Sequence, residues 1–270
     1  MRMISLGPIG LASSNPFTDD AAVVADEARH AEALGFATLW RSGNLPMLAA
    51  AVRATSSIPV ATGIIPVVRV PAADVIATHA ELEREHPGRF VVGIGGAHGP
   101  QPMVTLNAYL DELDAAGIDS RVLAALGPNM LALARDRASG AYPYLVTPSY
   151  VTAARAALGP DRLLAVLLMV IPVTDRDAAR AAAAGPLEFL AGQGGYRRNL
   201  LRQGFTETDI DTVSDRLLNG IAAWGSPERI AERIADYHGA GADQVVLRIL
   251  GVDDMGTWRA RLARTLFGSA

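Results

Sequence analysis

The stretch "RFVVGIGGAHGPQ", Arg89 to Gln101, runs from an apolar, strand-like segment into four glycines within seven residues. Among them stands His98. An imidazole titrates near neutral pH, so His98 is a candidate proton donor to a substrate, or a group that polarises a bound ring's carbonyl. The competing reading is a loop histidine that caps backbone. Glycines carry no Cβ, so Gly95 and Gly96 could let a flat ring lie against the chain; a tight strand-to-helix turn would use them too. The loop is not a dinucleotide fingerprint, because His98 occupies the third glycine position. It is not a phosphate loop either, because no lysine follows.

A second stretch, "ALGPNMLALA" (Ala125 to Ala134), is the better candidate for holding phosphate. Gly127 ends a strand and Pro128 opens a helix. The free N–H groups of Asn129, Met130 and Leu131 would face an anion, aided by the helix dipole. An ordinary capped helix start fits the same residues.

Composition narrows the chemistry. The chain has no cysteine, and all 24 basic side chains are arginine, so thiolate sites and Schiff-base lysines are excluded. A net charge of −4 gives no general pull toward nucleic acid or anionic membrane. The greasiest run, "RLLAVLLMVIPV" (Arg162 to Val173), falls short of the roughly 20 residues a membrane span needs. The N-terminus reads as a first strand rather than a secretory signal, because Gly7-Pro8 interrupts its apolar part. The expected location is the cytoplasm.

The elements that must position these residues alternate in period. Strands are expected at Met3–Leu6, Ala37–Trp40, Val60–Ile65, Phe90–Ile94, Arg121–Leu126, Ala141–Leu145, Leu163–Ile171 and Gln244–Ile249. Helices are expected near 19–34, 46–54, 72–86, 103–116, 129–138, 149–158, 176–191, 227–240 and 254–266. Thr147-Pro148 and Ser226-Pro227 each place a capping hydroxyl before a proline. The strands lack apolar/polar alternation, so both their faces are buried, as in a parallel sheet covered by helices. Eight βα units across residues 1–270 make one α/β domain, a (β/α)8 TIM barrel; an open doubly wound sheet is the alternative. Residues 192–225 fall outside the rhythm and read as a helical insertion between strand 7 and helix 8, covering a site or forming an interface.

In such a barrel the chemistry sits just after each strand. Those positions hold almost no carboxylates, only Asp253 and Asp254 nearby, and a single histidine. Paired-acid hydrolysis and a His/Asp metal centre are both excluded there. An organic cofactor is therefore expected to carry the reaction. His79, Glu83 and His86 share one helix face, but that helix end points away from the mouth and reads as a solvated, ion-paired surface.

Several stretches together resemble the bacterial luciferase-like flavin/deazaflavin oxidoreductase family, and within it the coenzyme F420-dependent branch. They are "AEALGFATLW" (31–40), "IPVATGI" (58–64), "PGRFVVGIGGAHGP" (87–100), "RVLAALGPNMLALARDRASGAYPYLVTP" (121–148) and "WGSPERIAERIADYHGAGADQVVLRIL" (224–250). "YRRNLLRQGF" (196–205) resembles the helical insertion of one short subfamily. The resemblance implies a barrel with F420, alternatively FMN, at its mouth. It implies a non-proline cis peptide at Gly63–Ile64 behind the ring, with Gly95 and Gly96 flanking it. The Gly127–Met130 turn would hold the phosphate, and the stretch from Tyr144 through Val146 and Thr147 to Pro148 would close over that side. Many members carry an acid–histidine pair after strand two, where this chain has "WRSGN". Arg41 or Asn44 would then make the contact to ring or substrate. Arg197, Arg198 and Arg202 would meet the cofactor's acidic tail, or face solvent or a partner subunit. The expected activity is hydride transfer between the deazaflavin and a small organic substrate, in a homodimer. An FMN-dependent monooxygenase, or a homologue that binds flavin without turnover or has lost its cofactor, is the alternative.

Overall fold

The computed structural model describes residues 4–97 and 101–268. Its strands are β1 (Ile9–Ala12), β2 (Thr38–Arg41), β3 (Val60–Thr62), β4 (Ile65–Pro66), β5 (Phe90–Gly95), β6 (Arg121–Leu123), β7 (Gly140–Ala141), β8 (Leu163–Ile171), β9 (Ala222–Trp224) and β10 (Gln244–Ile249). All pairings are parallel. The order runs β1-β2-β3-β5-β6-β7-β8, and β10 pairs with both β8 and β1, which closes an eight-stranded barrel. β4 continues β3 beyond Gly63, and β9 adds to the C-terminal end of β8.

Helices α1 (Ala21–Ala33), α2 (Leu45–Arg53), α3 (Ala72–Glu85), α4 (Pro102–Ala115), α5 (Pro128–Arg137), α6 (Pro148–Leu158), α7 (Arg176–Ala191), α11 (Pro227–Gly239) and α12 (Met255–Phe267) surround it. The insertion contributes α8 (Gly194–Arg202), α9 (Glu207–Asp211) and α10 (Asp215–Ile221). The expected caps form: Thr147 accepts from the Tyr150 N–H at 3.2 Å and Ser226 from the Arg229 N–H at 3.4 Å. No helix among the described residues is long and apolar enough to cross a membrane.

Strand β8 shows why alternation is missing from the sequence. All nine residues are buried, but they feed two different cores. Leu164, Val166, Leu168 and Val170 pack outward under the helices. Leu163, Ala165, Leu167, Met169 and Ile171 pack inward with Trp40, Ala61, Val91, Val122 and Val246. The insertion's Leu200, Phe205, Leu217, Leu218 and Ile221 join that same inner core. Each buried Val, Leu, Ile, Phe or Met among them contributes about 1.5–3 kcal/mol relative to exposure.

The first strand lies later than expected. Of the expected Met3–Leu6 strand, the described part, Ile4–Leu6, is not β1, and Gly7-Pro8 precedes β1 rather than following it. Leu6 is buried, and Ile4 packs against the inner core. The carbonyls of Leu6 and Gly7 accept from Gln244 Nε2 at 2.5 and 2.9 Å, and Thr38 Oγ1 also donates to Leu6 at 2.7 Å. The run is apolar because it plugs the barrel floor, not because it joins the sheet. The strand expected over Val60–Ile65 splits into β3 and β4. Those expected over Arg121–Leu126 and Ala141–Leu145 shorten to β6 and β7, with Tyr144 rejoining β8 through a single bridge to Leu167. The insertion is helical except for β9, which sequence reading placed in a helical run.

Candidate active site

The mouth of the barrel has two unlike arcs. On one lie the ends of β3, β4 and β5. The Gly63–Ile64 peptide is cis, the position the family resemblance implied. Gly95 falls on the inner face of β5, in step with Val91. A Cβ on it would sit 2.8 Å from the Ala124 Cβ. Gly96 adopts φ +67, a conformation that disfavours side chains, and a Cβ there would stand 3.3 Å from Pro66. Among the described residues no titratable side chain stands along this arc. His98 lies outside the described residues.

The opposite arc is built by β7, β8, β10 and the insertion. Along β10, Gln244, Val246 and Arg248 share the inward face. Gln244 anchors the floor by accepting from Trp40 Nε1 at 2.9 Å. Above it the Trp40 indole stacks on Tyr142, ring centres 4.0 Å apart and 4° from parallel. A Cβ on Gly63 would touch that Tyr142 ring at 3.0 Å, so Tyr142 packs against the Gly63–Ile64 peptide. Arg248 lies higher, its guanidinium 5.9 Å from the centre of the Tyr144 ring. Tyr196 of α8 completes the group.

Burial pushes the Tyr142 and Tyr144 phenols up, above the ordinary phenol pKa range, and the Arg248 charge only partly offsets this. Burial likewise pushes Tyr196 up to about 12, again against Arg248. All three phenols are therefore neutral O–H groups at physiological pH.

Arg41 does not face the mouth. It alternates outward from Trp40 and meets Glu27 of α1 at 2.5 Å, with further bonds to Ser13 Oγ at 2.7 Å and the Asn15 carbonyl at 3.3 Å. Arg259 of α12 closes on the other Glu27 oxygen. Burial pushes the Glu27 carboxyl up, but Arg259, Ser13, Ser14 and Arg41 together hold it below the usual range. Arg41 thus fixes the loops after β1 and β2 and is withdrawn as a ring or substrate contact. Asn44 caps α2, its Oδ1 accepting from the Met47 N–H at 3.5 Å.

The expected phosphate turn, Gly127 to Met130, is a helix start without a side-chain cap. Arg202 of α8 reaches it: its Nη1 would lie 3.4 Å from a Cβ on Gly127. A groove of about 520 Å³ between α5 and α6 opens beside it, lined by Tyr150, Asn199 and Arg202 among others. Arg197 is not available to a ligand, because Glu207 and Asp211 pair with it. Arg198 is exposed. Val146 and Met130 pack into the outer core, so neither offers its side chain to the mouth. Thr147 keeps its hydroxyl on α6, and its N–H donates to Gln203 Oε1 at 2.8 Å, while Gln203 Nε2 donates to the Leu145 carbonyl at 3.1 Å. Asp254 caps α12 through the Thr257 N–H at 2.9 Å. No group of three or more metal-ligating side chains occurs among the described residues.

Sequence reading missed Arg248, Tyr142 and Tyr196. The signal for Arg248 was present: a glutamine and an arginine four apart in the apolar strand "QVVLRI" must share one face. Reading only the residues after each strand passed over it.

A family model for luciferase-like monooxygenases matches residues 3–116 and 120–244. Among solved structures, an F420-dependent secondary alcohol dehydrogenase in complex with an F420–acetone adduct superposes with a TM-score of 0.75 at 16% identity, covering 97% of this chain and 98% of that one. The coenzyme F420-dependent tetrahydromethanopterin reductase from Methanopyrus kandleri gives 0.72 at 15% identity, with 98% and 99% covered. The oxygenating constituent of 3,6-diketocamphane monooxygenase from Pseudomonas putida, in complex with FMN, gives 0.69 at 15% identity, with 95% and 96% covered. No curated protein sequence matches the chain.

The residues present suit a flat ring with a phosphate tail. Gly95 and Gly96 add no side chain to the arc, the α5 start offers unbonded N–H groups beside Arg202, and the buried Tyr144 hydroxyl and Arg248 Nε have no hydrogen-bond partner among the described residues.

Proposed function

The chain belongs to the luciferase-like monooxygenase family, and from that premise we propose that it is an F420-dependent oxidoreductase acting on a small organic substrate. When bound, the deazaflavin supplies the hydride chemistry. The protein's part is to bind, orient and exclude water. Gly63, Ile64, Gly95 and Gly96 hold the ring face. Gly127, Pro128, Asn129 and Met130 offer backbone, with Arg202, to the phosphate. Tyr144, Val146 and Thr147 wall that side through backbone and ring. His98 is the proposed proton donor on the loop after β5, and Asn44 borders the mouth from the start of α2.

The observation that carries this reading is the contrast between the arcs. Among the described residues one carries no titratable side chain and the other is furnished with neutral phenols and one cation, so the described mouth lacks a side-chain acid–base pair able to run a reaction alone. The F420-dependent enzymes among the similar structures favour the deazaflavin; the FMN-bound monooxygenase keeps FMN as the second reading.

Titration of the purified protein with F420 and, separately, with FMN tests it by quenching of cofactor fluorescence. Tight binding of F420 alone is expected. Tight binding of FMN alone would move the proposal to a flavin monooxygenase. Binding of neither, by protein with a folded circular dichroism spectrum, would remove the enzyme reading.

A further inference from the structure

The chain has six tyrosines, and they divide cleanly. The hydroxyls of Tyr109, Tyr150 and Tyr237 donate to main-chain carbonyls at 3.1, 2.9 and 2.6 Å. Those of Tyr142, Tyr144 and Tyr196 make no hydrogen bond among the described residues, and the Tyr144 hydroxyl is fully buried. The arginines divide in the same way. Eleven of those described are buried or half-buried, and ten of them hydrogen-bond a carboxylate, a carbonyl or both. The exception is Arg248, whose buried Nε is unpartnered and which makes no ion pair among the described residues.

The two exceptions coincide in space. The Arg248 charge acts on all three unbonded phenols. The group lies on the arc of β7, β8, β10 and α8, across the barrel from Gly95 and Gly96. Every unsatisfied group in it is a donor, or in the case of the phenols a donor that can also accept. Buried donors of this kind normally find acceptors, and a half-buried guanidinium without a carboxylate is costly. The complement is a planar anion with two oxygens, which a guanidinium binds as a fork. The flanking phenol rings suit a flat or unsaturated body next to that anion.

We propose that Arg248, with the hydroxyls of Tyr144 and Tyr196, is the recognition site for a substrate carboxylate, holding an unsaturated or aromatic carboxylic acid against the glycine arc. This rests on the reading of the mouth as a place for cofactor and substrate together. It adds the substrate's class and the residues that select it. Tyr142, packed on Trp40, forms the floor beneath the substrate's body.

The test is calorimetric titration with benzoate and with its neutral analogue benzamide, on the protein alone and after saturation with whichever cofactor it binds. Benzoate is expected to bind at least ten-fold more tightly than benzamide. Arg248→Met is expected to erase that preference, Arg248→Lys to retain part of it, and Tyr144→Phe to weaken benzoate several-fold. Because the cation is unpaired without ligand, Arg248→Met is also expected to melt at a higher temperature than the unliganded wild type, a gain that a structural arginine would not give. Equal affinity for benzoate and benzamide, or an unchanged preference in Arg248→Met, would overturn the proposal. So would an Arg248→Met variant that melts lower or does not fold, since Arg248 would then be structural. A ten-fold loss of F420 or FMN affinity in that variant would assign Arg248 to the cofactor and overturn it as well. Failure of the wild type to quench either cofactor is a separate readout and strikes the proposed function, not the carboxylate preference.

Discussion

Replacing Glu27 by glutamine removes the one carboxylate shared by two buried arginines. Its side chain is 6% exposed and that of Arg41 is 1% exposed, so neither charge can turn to water. Arg259 is held on the other oxygen at similar burial. Breaking a buried pair by deleting one partner typically costs about 3–5 kcal/mol, because the remaining charge stays desolvated. For a chain of 270 residues the unfolding entropy amounts to about 0.6 kcal/mol per kelvin. Glu27→Gln should therefore lower the melting temperature by about 5–9 °C at neutral pH. The sign with pH follows from the lowered carboxyl. A depressed folded pKa stabilises above the unfolded value near 4.5 and loses that contribution as pH falls through the folded value. The gap between wild type and variant should hold at pH 7 and narrow in acid. Scanning calorimetry at several pH values reads both. A variant within 1 °C of wild type at pH 7, or a gap that persists unchanged into strong acid, would refute the argument that this network ties α1 and α12 to the ends of β1 and β2.

Glu32 accepts backbone N–H bonds from Ser56, Ser57 and Ile58 at 3.0, 2.6 and 2.9 Å; burial opposes them, but the bonds prevail and its pKa falls to about 2. Because solvent screens the site, Glu32→Gln should lose about 1–2 kcal/mol at pH 7, with the difference fading as pH falls from about 4.5 through 2; urea titrations at both ends check it. Gly96→Val should weaken cofactor binding more than ten-fold while leaving a folded barrel, and an unchanged affinity would mean the ring lies elsewhere. Gln203→Ala should leave the Leu145 carbonyl and the Thr147 N–H unpaired at a cost of about 1–2 kcal/mol, with faster amide exchange at Thr147; unaltered exchange there would show that the insertion does not clamp the α6 start.

Much of the barrel was legible because its signals are local. The run Leu163–Ile171, the caps at Thr147 and Ser226, and the left-handed glycines 35, 117, 159 and 241 each declare one element boundary. The errors arise where one local pattern serves two purposes. Met3–Leu6 is as apolar as a strand in sequence, but its described part, Ile4–Leu6, packs on the barrel floor. Ala222–Trp224 has the length of a turn and becomes a strand only because β8 extends far enough to pair with it. The site was half legible for the same reason. Glycine clusters and helix starts are visible in sequence, so the ring and phosphate positions could be named. That Arg41 turns outward and Arg248 inward depends on strand parity and on which helix supplies a carboxylate. Glu27 is 14 residues from Arg41 in sequence and on a different element, and no spacing rule joins them.

The two arcs of the mouth share the inner core through Ala61 and Val91, but only one of them is continuous with the insertion. The glycine arc is carried on β3, β4 and β5, whose outward residues Val60, Ile65, Val92 and Ile94 belong to the layer under the helices. A side chain added there meets close neighbours, Ala124 at Gly95 and Pro66 at Gly96. The tyrosine–arginine arc belongs to the inner core, which is continuous with the insertion through Leu200, Phe205 and Leu217. Tyr196 is positioned by α8, Arg202 of the same helix reaches the α5 start, and Gln203 just beyond it grips the chain before α6. One ten-residue stretch therefore contributes to the proposed substrate end, the proposed phosphate end and the wall between them. The insertion is not a detachable cover. Because interiors are close-packed and respond discretely to volume changes, a substitution such as Leu200→Ala should leave a cavity costing about 2–5 kcal/mol and shift Tyr196 and Arg202 together. The cofactor arc can stay constant while the insertion alone changes what is bound opposite it.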